Sequence, residues 1–250
     1  MNNKLLYITI LFVCGTLVLG AKPSSKNRKS AASRTHHHRH HAKSSLLKEI
    51  EPLSFSDNEP RKDKIPFDET NLVQDLSAYI KSHYKKQTFD SYLFVSIKNQ
   101  KMYHIVDNNV VKTYTISGSK NGAGNRFGSN QTPVGLHTII EKFGYTVPKA
   151  GLLVERSYTG KVTKIHKEKF CVGSDDVTSR VLWLRGEEPG LNQGGNIDSY
   201  KRFIYIHGTP EEGLIGVPSS EGCIRMKNNE VIDLFSFAYV GMKVLILKDF

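Results

Sequence analysis

The chain has 250 residues, of which 38% are hydrophobic and 24% charged, and 35 Lys and Arg against 24 Asp and Glu give a net charge of +11. This composition suffices for one good hydrophobic core and excludes a chain that is disordered throughout. More than half of the excess charge, +6, lies between Lys22 and Lys64, and no nucleic-acid-binding motif accompanies it, so we expect no nucleic-acid partner.

The first 21 residues have the pattern of a secretory signal peptide. Lys4 precedes an apolar run from Leu5 to Leu19, and the small residues Gly20 and Ala21 follow. The apolar run of about 15 residues is shorter than the roughly 20 that span a bilayer, which favours a cleaved signal peptide over a membrane anchor. We therefore expect an exported protein of the periplasm or cell envelope.

Residues 22–64 are predicted to form a disordered, basic, His-rich linker, because Lys, Ser, Arg and His dominate and apolar residues are few. The tract His36–His41 could bind zinc or copper, or it could belong to a flexible tether without metal. The positive charge of this tail suits an anionic envelope surface, such as lipid headgroups or wall polymer.

The rest of the chain predicts one helix followed by a mainly β domain. Within residues 65–90, helical periodicity from about Glu69 to Lys86 predicts a helix that packs on the domain. Over residues 91–250, alternation of period two and turn residues predict short strands. The predicted strands are 92–98, 102–106, 110–116, 135–143, 181–184, 203–206 and 242–247, with a late helix at 228–239. The mixed segment from Gly144 to Ser179 is typical of binding loops or lids.

Removal of the signal peptide leaves two cysteines, Cys171 and Cys223. In an exported protein such a pair predicts either a structural disulfide or one reactive thiol, and a bond between the two would silence a nucleophile. Cys223 follows Gly222 in a polar loop, which is an unusual place for a core cysteine. His207 ends an apolar strand at a glycine-containing loop. A cysteine with a neighbouring histidine can transfer acyl groups through a thioester.

These residues lie in a motif that resembles a known family. His207-Gly208, followed by Ser220-x-Gly222-Cys223-Ile224-Arg225, is similar to the signature of the L,D-transpeptidase catalytic domain, also called the YkuD domain. The stretch Thr132-Pro133-Val134-Gly135 is similar to the family's Thr-Pro-x-Gly at the start of a strand. The resemblance covers about 92–247 and implies a mainly β fold, a sandwich or barrel with a few short helices.

The resemblance implies a role for each matching residue. Cys223 would be the nucleophile and His207 the proton donor and acceptor, with the backbone carbonyl of Gly208 orienting the imidazole. Backbone N–H groups near Gly222 and Cys223 would hold the oxyanion. Ser220 and Arg225 would shape the loop, and Arg225 could also contact a substrate carboxylate.

One residue departs from the family pattern. Many members have a second histidine before the Gly-Cys pair, where this chain has Glu221. A carboxylate near the thiol would raise its pKa.

The implied substrate is a peptidoglycan stem tetrapeptide, cleaved between its third residue, usually diaminopimelate, and its fourth, D-Ala. The acceptor would be a second stem, which gives a 3→3 crosslink, an envelope protein, or water, which makes an L,D-carboxypeptidase or endopeptidase. No metal or cofactor is needed, and a carbapenem should acylate Cys223. The alternative from another class is a non-catalytic envelope protein that binds peptidoglycan and metal.

Overall fold

The computed structural model of the protein describes residues 69–173 and 175–250. The predicted signal peptide (1–21), the predicted linker (22–64) with the His36–His41 tract, and the boundary between residues 64 and 65 lie outside the described residues. Within the described ranges, no helix is both long and apolar enough to cross a membrane.

Ten strands and two α-helices make up the described chain. In chain order they are α1 (Glu69–His83), β1 (Ser91–Ser96), β2 (Lys101–Val106), β3 (Asn109–Thr115), β4 (Gly135–Phe143), β5 (Gly151–Val154), β6 (Ser157–Val162), β7 (Val177–Gly186), β8 (Tyr205–Gly208), β9 (Ile224–Met226), α2 (Asn228–Phe237) and β10 (Lys243–Leu247). The strands form one sheet in the order β3-β2-β1-β10-β4-β7-β5-β6, and β8 and β9 branch from β7. The pairs β1–β10 and β8–β9 are parallel.

Alternating side chains give the sheet two buried faces, because successive residues of a strand point to opposite sides. In β1, Leu93 and Val95 lie in a core that α2 covers through Val231 and Leu234. The neighbouring residues of the same strand, including Phe94, lie in a second core. The helix α1 covers this second core with its apolar residues Leu72, Leu76 and Ile80. Each helix therefore packs on its own face of the sheet.

A third hydrophobic cluster lies around β7 and β8. It contains Val181 and Trp183 of β7, Tyr205 of β8 and Leu153 of β5, and the side chain of Cys223 packs against it. In the antiparallel pairing of β7 with β8, Val181 is opposite His207 and Trp183 is opposite Tyr205. This cluster supports the candidate site.

The predicted fold class, mainly β with a few short helices, is confirmed, and so is the strand at 135–143. The first helix ends at His83 rather than Lys86. The strand predicted at 203–206 is displaced: Phe203 has φ 56°, which a strand does not allow, and β8 contains His207 instead of ending before it. The mixed segment from Gly144 to Ser179 contains a hairpin, β5–β6. All residues of its outer strand, β6, are exposed, so this strand shows no apolar period. The three-residue β9 was not predicted, because it is too short to show alternation.

Candidate active site

The parallel pair β8–β9 brings the predicted nucleophile and base to the same face of the sheet. His207 is in register with Arg225 and Ile206 with Ile224, so Cys223 stands opposite Tyr205. Ile206 and Ile224 point into the core that α2 covers. Because side chains alternate along a strand, Tyr205, His207, Cys223 and Arg225 point to the other face. Cys223 and His207 are therefore diagonal neighbours on that face.

His207 is fully buried, and a single hydrogen bond of its ring within the described residues fixes its tautomer. Its Nδ1 lies 2.8 Å from the carbonyl oxygen of Gly208. A carbonyl only accepts hydrogen bonds, so Nδ1 carries the hydrogen and Nε2 carries the basic lone pair. Nε2 has no hydrogen-bond partner among the described residues. The imidazole is thus oriented by a backbone carbonyl and leaves one nitrogen free to accept a proton.

The glycine after the histidine is required by close packing. A Cβ on Gly208 would lie 2.7 Å from the carbonyl oxygen of Thr178 and 2.8 Å from Oδ1 of Asn228. Oδ1 of Asn228 accepts hydrogen bonds from the Thr178 and Ser179 hydroxyls, and its Nδ2 donates to the carbonyl of Thr209. This buried network holds the backbone that carries the Gly208 carbonyl.

The thiol of Cys223 is partly buried between two backbone groups. The Tyr205 N–H donates to Sγ at 3.4 Å, and the thiol donates to the carbonyl of Phe203 at 3.4 Å. A backbone donor aimed at sulfur favours the thiolate, whereas the carbonyl of Phe203 favours the thiol. The site therefore holds a protonated cysteine and keeps a donor ready for the charge that forms when the proton leaves.

Burial and nearby charges also favour the neutral forms of the Cys223 thiol and the His207 imidazole. Burial, reinforced by the charge of Asp175, raises the pKa of Cys223 to about 12, against the opposing effects of the Tyr205 N–H, Arg225 and Arg202. Burial lowers the pKa of His207, although Asp175 and the Gly208 carbonyl act in the opposite direction. Both shifts favour the neutral thiol and the neutral imidazole.

The loop before Cys223 is held by Ser220 and by an unusual glycine. The Ser220 hydroxyl donates to the carbonyl of Cys223 at 2.6 Å and accepts from the Gly222 N–H at 3.3 Å. Gly222 has φ 130°, a conformation that favours glycine. The Gly222 N–H is thus engaged with Ser220, and an oxyanion role for it stays a prediction.

Arg225 is buried between two carboxylates. Its Nη2 lies 2.6 Å from Oδ1 of Asp175, and its Nη1 lies 2.7 Å from Oε2 of Glu211. The other carboxylate oxygen of Asp175 accepts from the Glu221 N–H at 2.8 Å. The structure thus gives Arg225 a role in holding the loop, and a contact with a substrate carboxylate stays a prediction.

Two of these partners were not among the residues singled out from the sequence. Asp175 and Glu211 lie in loops without apolar periodicity, and only the folded chain brings them to Arg225. Glu221 is exposed and pairs with Lys120 at 3.0 Å instead of pointing at the thiol. Cys171 and Cys223 are both free, so the alternative of a structural disulfide does not describe this structure. Oxidative pairing of the two thiols stays a prediction.

Two cavities meet at Phe203, whose carbonyl touches the thiol. One cavity has a volume of about 500 Å³ and the other of about 290 Å³. The larger is lined by Leu153, Glu155, Arg156, Val177, Val181, Phe203 and Tyr205. The smaller is lined by Phe127, Gly128, Asn130, Arg202, Phe203, Ile204 and Glu221. Phe203 lines both cavities, so each of them includes the residue whose carbonyl contacts the thiol.

Comparison with known proteins places residues 90–246 in a single family. The sequence profile that matches them is that of YkuD, the L,D-transpeptidase catalytic domain. The chain is 29% identical over 160 residues to YqjB of Bacillus subtilis (strain 168), which covers 64% of this chain and 73% of that protein. It is 42% identical over 60 residues to YkuD of the same organism, which covers 22% of this chain and 37% of that protein. Both relatives carry L,D-transpeptidase in their names.

Solved structures give matches of low identity. An L,D-transpeptidase from Xylanimonas cellulosilytica DSM 15894 aligns with a TM-score of 0.41 at 16% identity, which covers 69% of each chain. An L,D-transpeptidase from Mycobacterium smegmatis aligns with a TM-score of 0.38 at 17% identity, and the match spans 63% of this chain and 58% of that one. The family profile covers more than half of this chain, and the protein belongs to the L,D-transpeptidase catalytic domain family.

Proposed function

We propose that the protein is an exported L,D-transpeptidase that acts on peptidoglycan stem tetrapeptides through a thioester on Cys223. Membership of the family supports the reaction class. The N-terminal pattern of Lys4, an apolar run and Gly20-Ala21 supports export to the periplasm or cell envelope. In that compartment the basic segment 22–64 would contact an anionic surface.

In the first half-reaction, the Cys223 sulfur attacks the carbonyl carbon of the bond between diaminopimelate and D-Ala, while the thiol proton moves to Nε2 of His207. The carbon–nitrogen bond then breaks, and D-Ala leaves as an amine with the proton that Nε2 returns. The product is a thioester between Cys223 and the remaining tripeptide.

In the second half-reaction, an amine attacks the thioester. It loses a proton to Nε2 of His207, the carbon–sulfur bond breaks, and the proton returns to sulfur. A diaminopimelate amine of a second stem gives a 3→3 crosslink, and a lysine of an envelope protein gives protein attachment. Water gives a free tripeptide.

The orientation of His207 carries the proposal. Its Nδ1–H is held by the Gly208 carbonyl, and its Nε2 is buried without a partner among the described residues, on the sheet face that bears Cys223. An unpaired buried acceptor costs free energy, and such a cost is tolerated where the atom has a function. Taking a proton from the neighbouring thiol is that function.

The test is incubation of the purified protein with sacculi rich in tetrapeptide stems, beside a Cys223→Ala control. We expect 3→3 dimers and released D-Ala with the unchanged protein and neither with the variant. Tripeptides alone would identify water as the acceptor and make the protein an L,D-carboxypeptidase. No change with either protein would favour a non-catalytic envelope protein.

A second test needs no acceptor. Incubation with a carbapenem should add one drug mass to the intact protein, and peptide mapping should place the adduct on Cys223. An unmodified protein after long incubation would count against a nucleophilic thiol.

A further inference from the structure

A hairpin turn beside the candidate site presents two oppositely charged side chains to the larger cavity. Glu155 and Arg156 connect β5 to β6, and both line the cavity of about 500 Å³. The paired strand residues on either side are Val154 and Ser157, which makes this a two-residue turn. Its charged residues need an explanation, because Asn-Gly or Asp-Gly is the usual choice in such turns.

The turn is strained. Glu155 has φ 47° and Arg156 has φ 70°, and residues with a Cβ pay a free-energy cost in this region. Strain of this kind collects at functional positions, where the surrounding structure maintains it. The conformation fixes both side chains at the mouth of the cavity.

Arg156 is held over an aromatic surface. Its guanidinium carbon lies 4.5 Å from the ring centroid of Trp183 and 5.8 Å from that of Phe203, and its Nη1 donates to the Tyr205 hydroxyl at 3.0 Å. Neither Arg156 nor Glu155 forms an ion pair within the part of the chain that the structure describes. A fixed guanidinium with unused donors is a ready partner for a carboxylate.

The lining of the cavity extends from this charged turn to Tyr205 and Phe203, whose backbone groups contact the Cys223 sulfur. Tyr205 spans the distance: its backbone N–H contacts the Cys223 sulfur, and its hydroxyl contacts Arg156. The guanidinium is therefore about one tyrosine side chain away from the thiol. The walls between them are apolar, formed by Leu153, Val177, Val181 and the ring of Phe203. Such a cavity fits an aliphatic chain whose far end is charged.

We propose that Glu155 and Arg156 are specificity-determining residues that bind the zwitterionic end of the diaminopimelate side chain in the acyl donor. Arg156 binds the distal carboxylate, Glu155 binds the distal ammonium, and the apolar walls hold the methylene groups. The assignment rests on the proposed function, because it takes a stem tetrapeptide as the donor. The terminal D-Ala carboxylate fits less well, since it is adjacent to the bond under attack and not a side-chain length away.

The experiment compares two synthetic donors, a tetrapeptide with meso-diaminopimelate at the third position and the same peptide with lysine there. Lysine keeps the ammonium and lacks the carboxylate. The readout is the rate of D-Ala release, measured for the unchanged protein and for Arg156→Gln, Arg156→Lys and Glu155→Gln. Lys161→Gln, on the exposed strand β6 of the same hairpin, removes the same charge without lining the cavity and is the matched control.

Arg156→Gln should lower kcat/KM for the diaminopimelate donor by about tenfold or more and change the lysine donor little, as expected when a hydrogen bond to a charged group is lost. Arg156→Lys should retain part of the preference, because it keeps a cation. Glu155→Gln should lower kcat/KM for both donors, and Lys161→Gln should lower it for neither. An unchanged preference in Arg156→Gln, or an equal loss for both donors, would overturn the assignment.

A binding measurement separates this inference from the proposed function. In a Cys223→Ala background, calorimetry should show tighter binding of the diaminopimelate peptide than of the lysine peptide, and the added Arg156→Gln should remove the difference. If the unchanged protein released no D-Ala while this binding preference held, the proposed function would fail and the side-chain assignment would stand. Equal binding of the two peptides would overturn the assignment.

Discussion

At the residue scale, the surroundings of Cys223 favour its neutral thiol over the thiolate. Burial and Asp175 raise the pKa of Cys223, while the Tyr205 N–H and two arginines act against them. Formation of the thiolate therefore needs a base, and the Gly208 carbonyl holds His207 in the tautomer that can accept the proton. This arrangement limits unwanted reactions of the thiol, because the thiolate is the reactive form.

Asp175→Asn should make the thiol more reactive. Asp175 raises the pKa of Cys223 through its charge, so the neutral amide should lower that pKa while it keeps a similar shape near Arg225. The rate of alkylation of Cys223 by iodoacetamide, measured against pH, should rise at a lower pH than in the unchanged protein. An unshifted profile would show that the carboxylate does not control the thiol. Glu221→Gln is a suitable control, because the exposed Glu221 pairs with Lys120.

Gly222→Ala should impair acylation more than folding. At φ 130° a Cβ is strained, and it would stand 3.4 Å from the Gln131 carbonyl and 3.5 Å from Ile204 Cδ1. The loop would relieve this strain by moving, and Cys223 would move with it. We expect a carbapenem acylation rate reduced by about tenfold or more, because small misplacement of a nucleophile is costly. Gly241→Ala is a useful comparison, because its φ is 101°, no atom lies within 4 Å of the added Cβ, and it lines neither cavity. Equal effects of the two substitutions would contradict a special role for position 222.

At the element scale, β4 carries a buried histidine that links it to the loop before β8. His137 is fully buried; its Nδ1 donates to the Gly135 carbonyl at 3.0 Å, and its Nε2 accepts from the Ser199 hydroxyl at 2.9 Å. Burial lowers its pKa from 6.5 to about 4, against the raising effect of the Gly135 carbonyl. The folded state thus requires the neutral ring.

This histidine predicts a pH-dependent stability. Since the unfolded chain binds the proton more readily, the stabilisation is fully present above pH 6.5 and is lost as the pH falls toward 4. The loss from this group should be on the order of 3 kcal/mol. Urea unfolding at several pH values should show a steep decline for the unchanged protein and a flatter one for His137→Gln. Parallel curves would mean that His137 does not titrate in this range.

The first helix, α1, can be used to test whether packing in its core affects the reactivity of Cys223. Leu76 is completely buried in the core beneath α1, and that core shares no residue with the cluster around Cys223. Leu76→Ala should lower the free energy of unfolding by about 2–5 kcal/mol, because it leaves a cavity. The carbapenem acylation rate of the folded variant should stay within about twofold of that of the unchanged protein, since contacts this distant rarely couple. A large loss of rate in protein shown to be folded would mean that α1 and the site are coupled.

At the scale of the whole molecule, the sequence correctly predicts the strand Gly135–Phe143, whose residues are all buried or half-buried. It fails where both sides of a strand are exposed, as in β6, and where a strand has three residues, as in β9. The pairing of β8 with β9 is parallel and joins segments separated by a loop, so no local pattern reveals it.

Some residues of the site can be identified from the sequence, and others only from the structure. Cys223 and His207 stand in a recognisable motif. Asp175 and Arg156 do not, because each belongs to a segment without apolar period and gains its neighbours only through the fold. Motif residues can be identified from one sequence, whereas the groups that set charge and specificity require the structure.

The proposed reaction requires a thioester between Cys223 and a stem tripeptide. This intermediate can be detected by intact mass spectrometry of the purified protein, quenched in acid seconds after mixing with a diaminopimelate tetrapeptide. We expect an adduct with the mass of the tripeptide acyl group on Cys223, together with free D-Ala, and neither in Cys223→Ala. Release of D-Ala without any adduct, and equally from the Cys223→Ala protein, would contradict it.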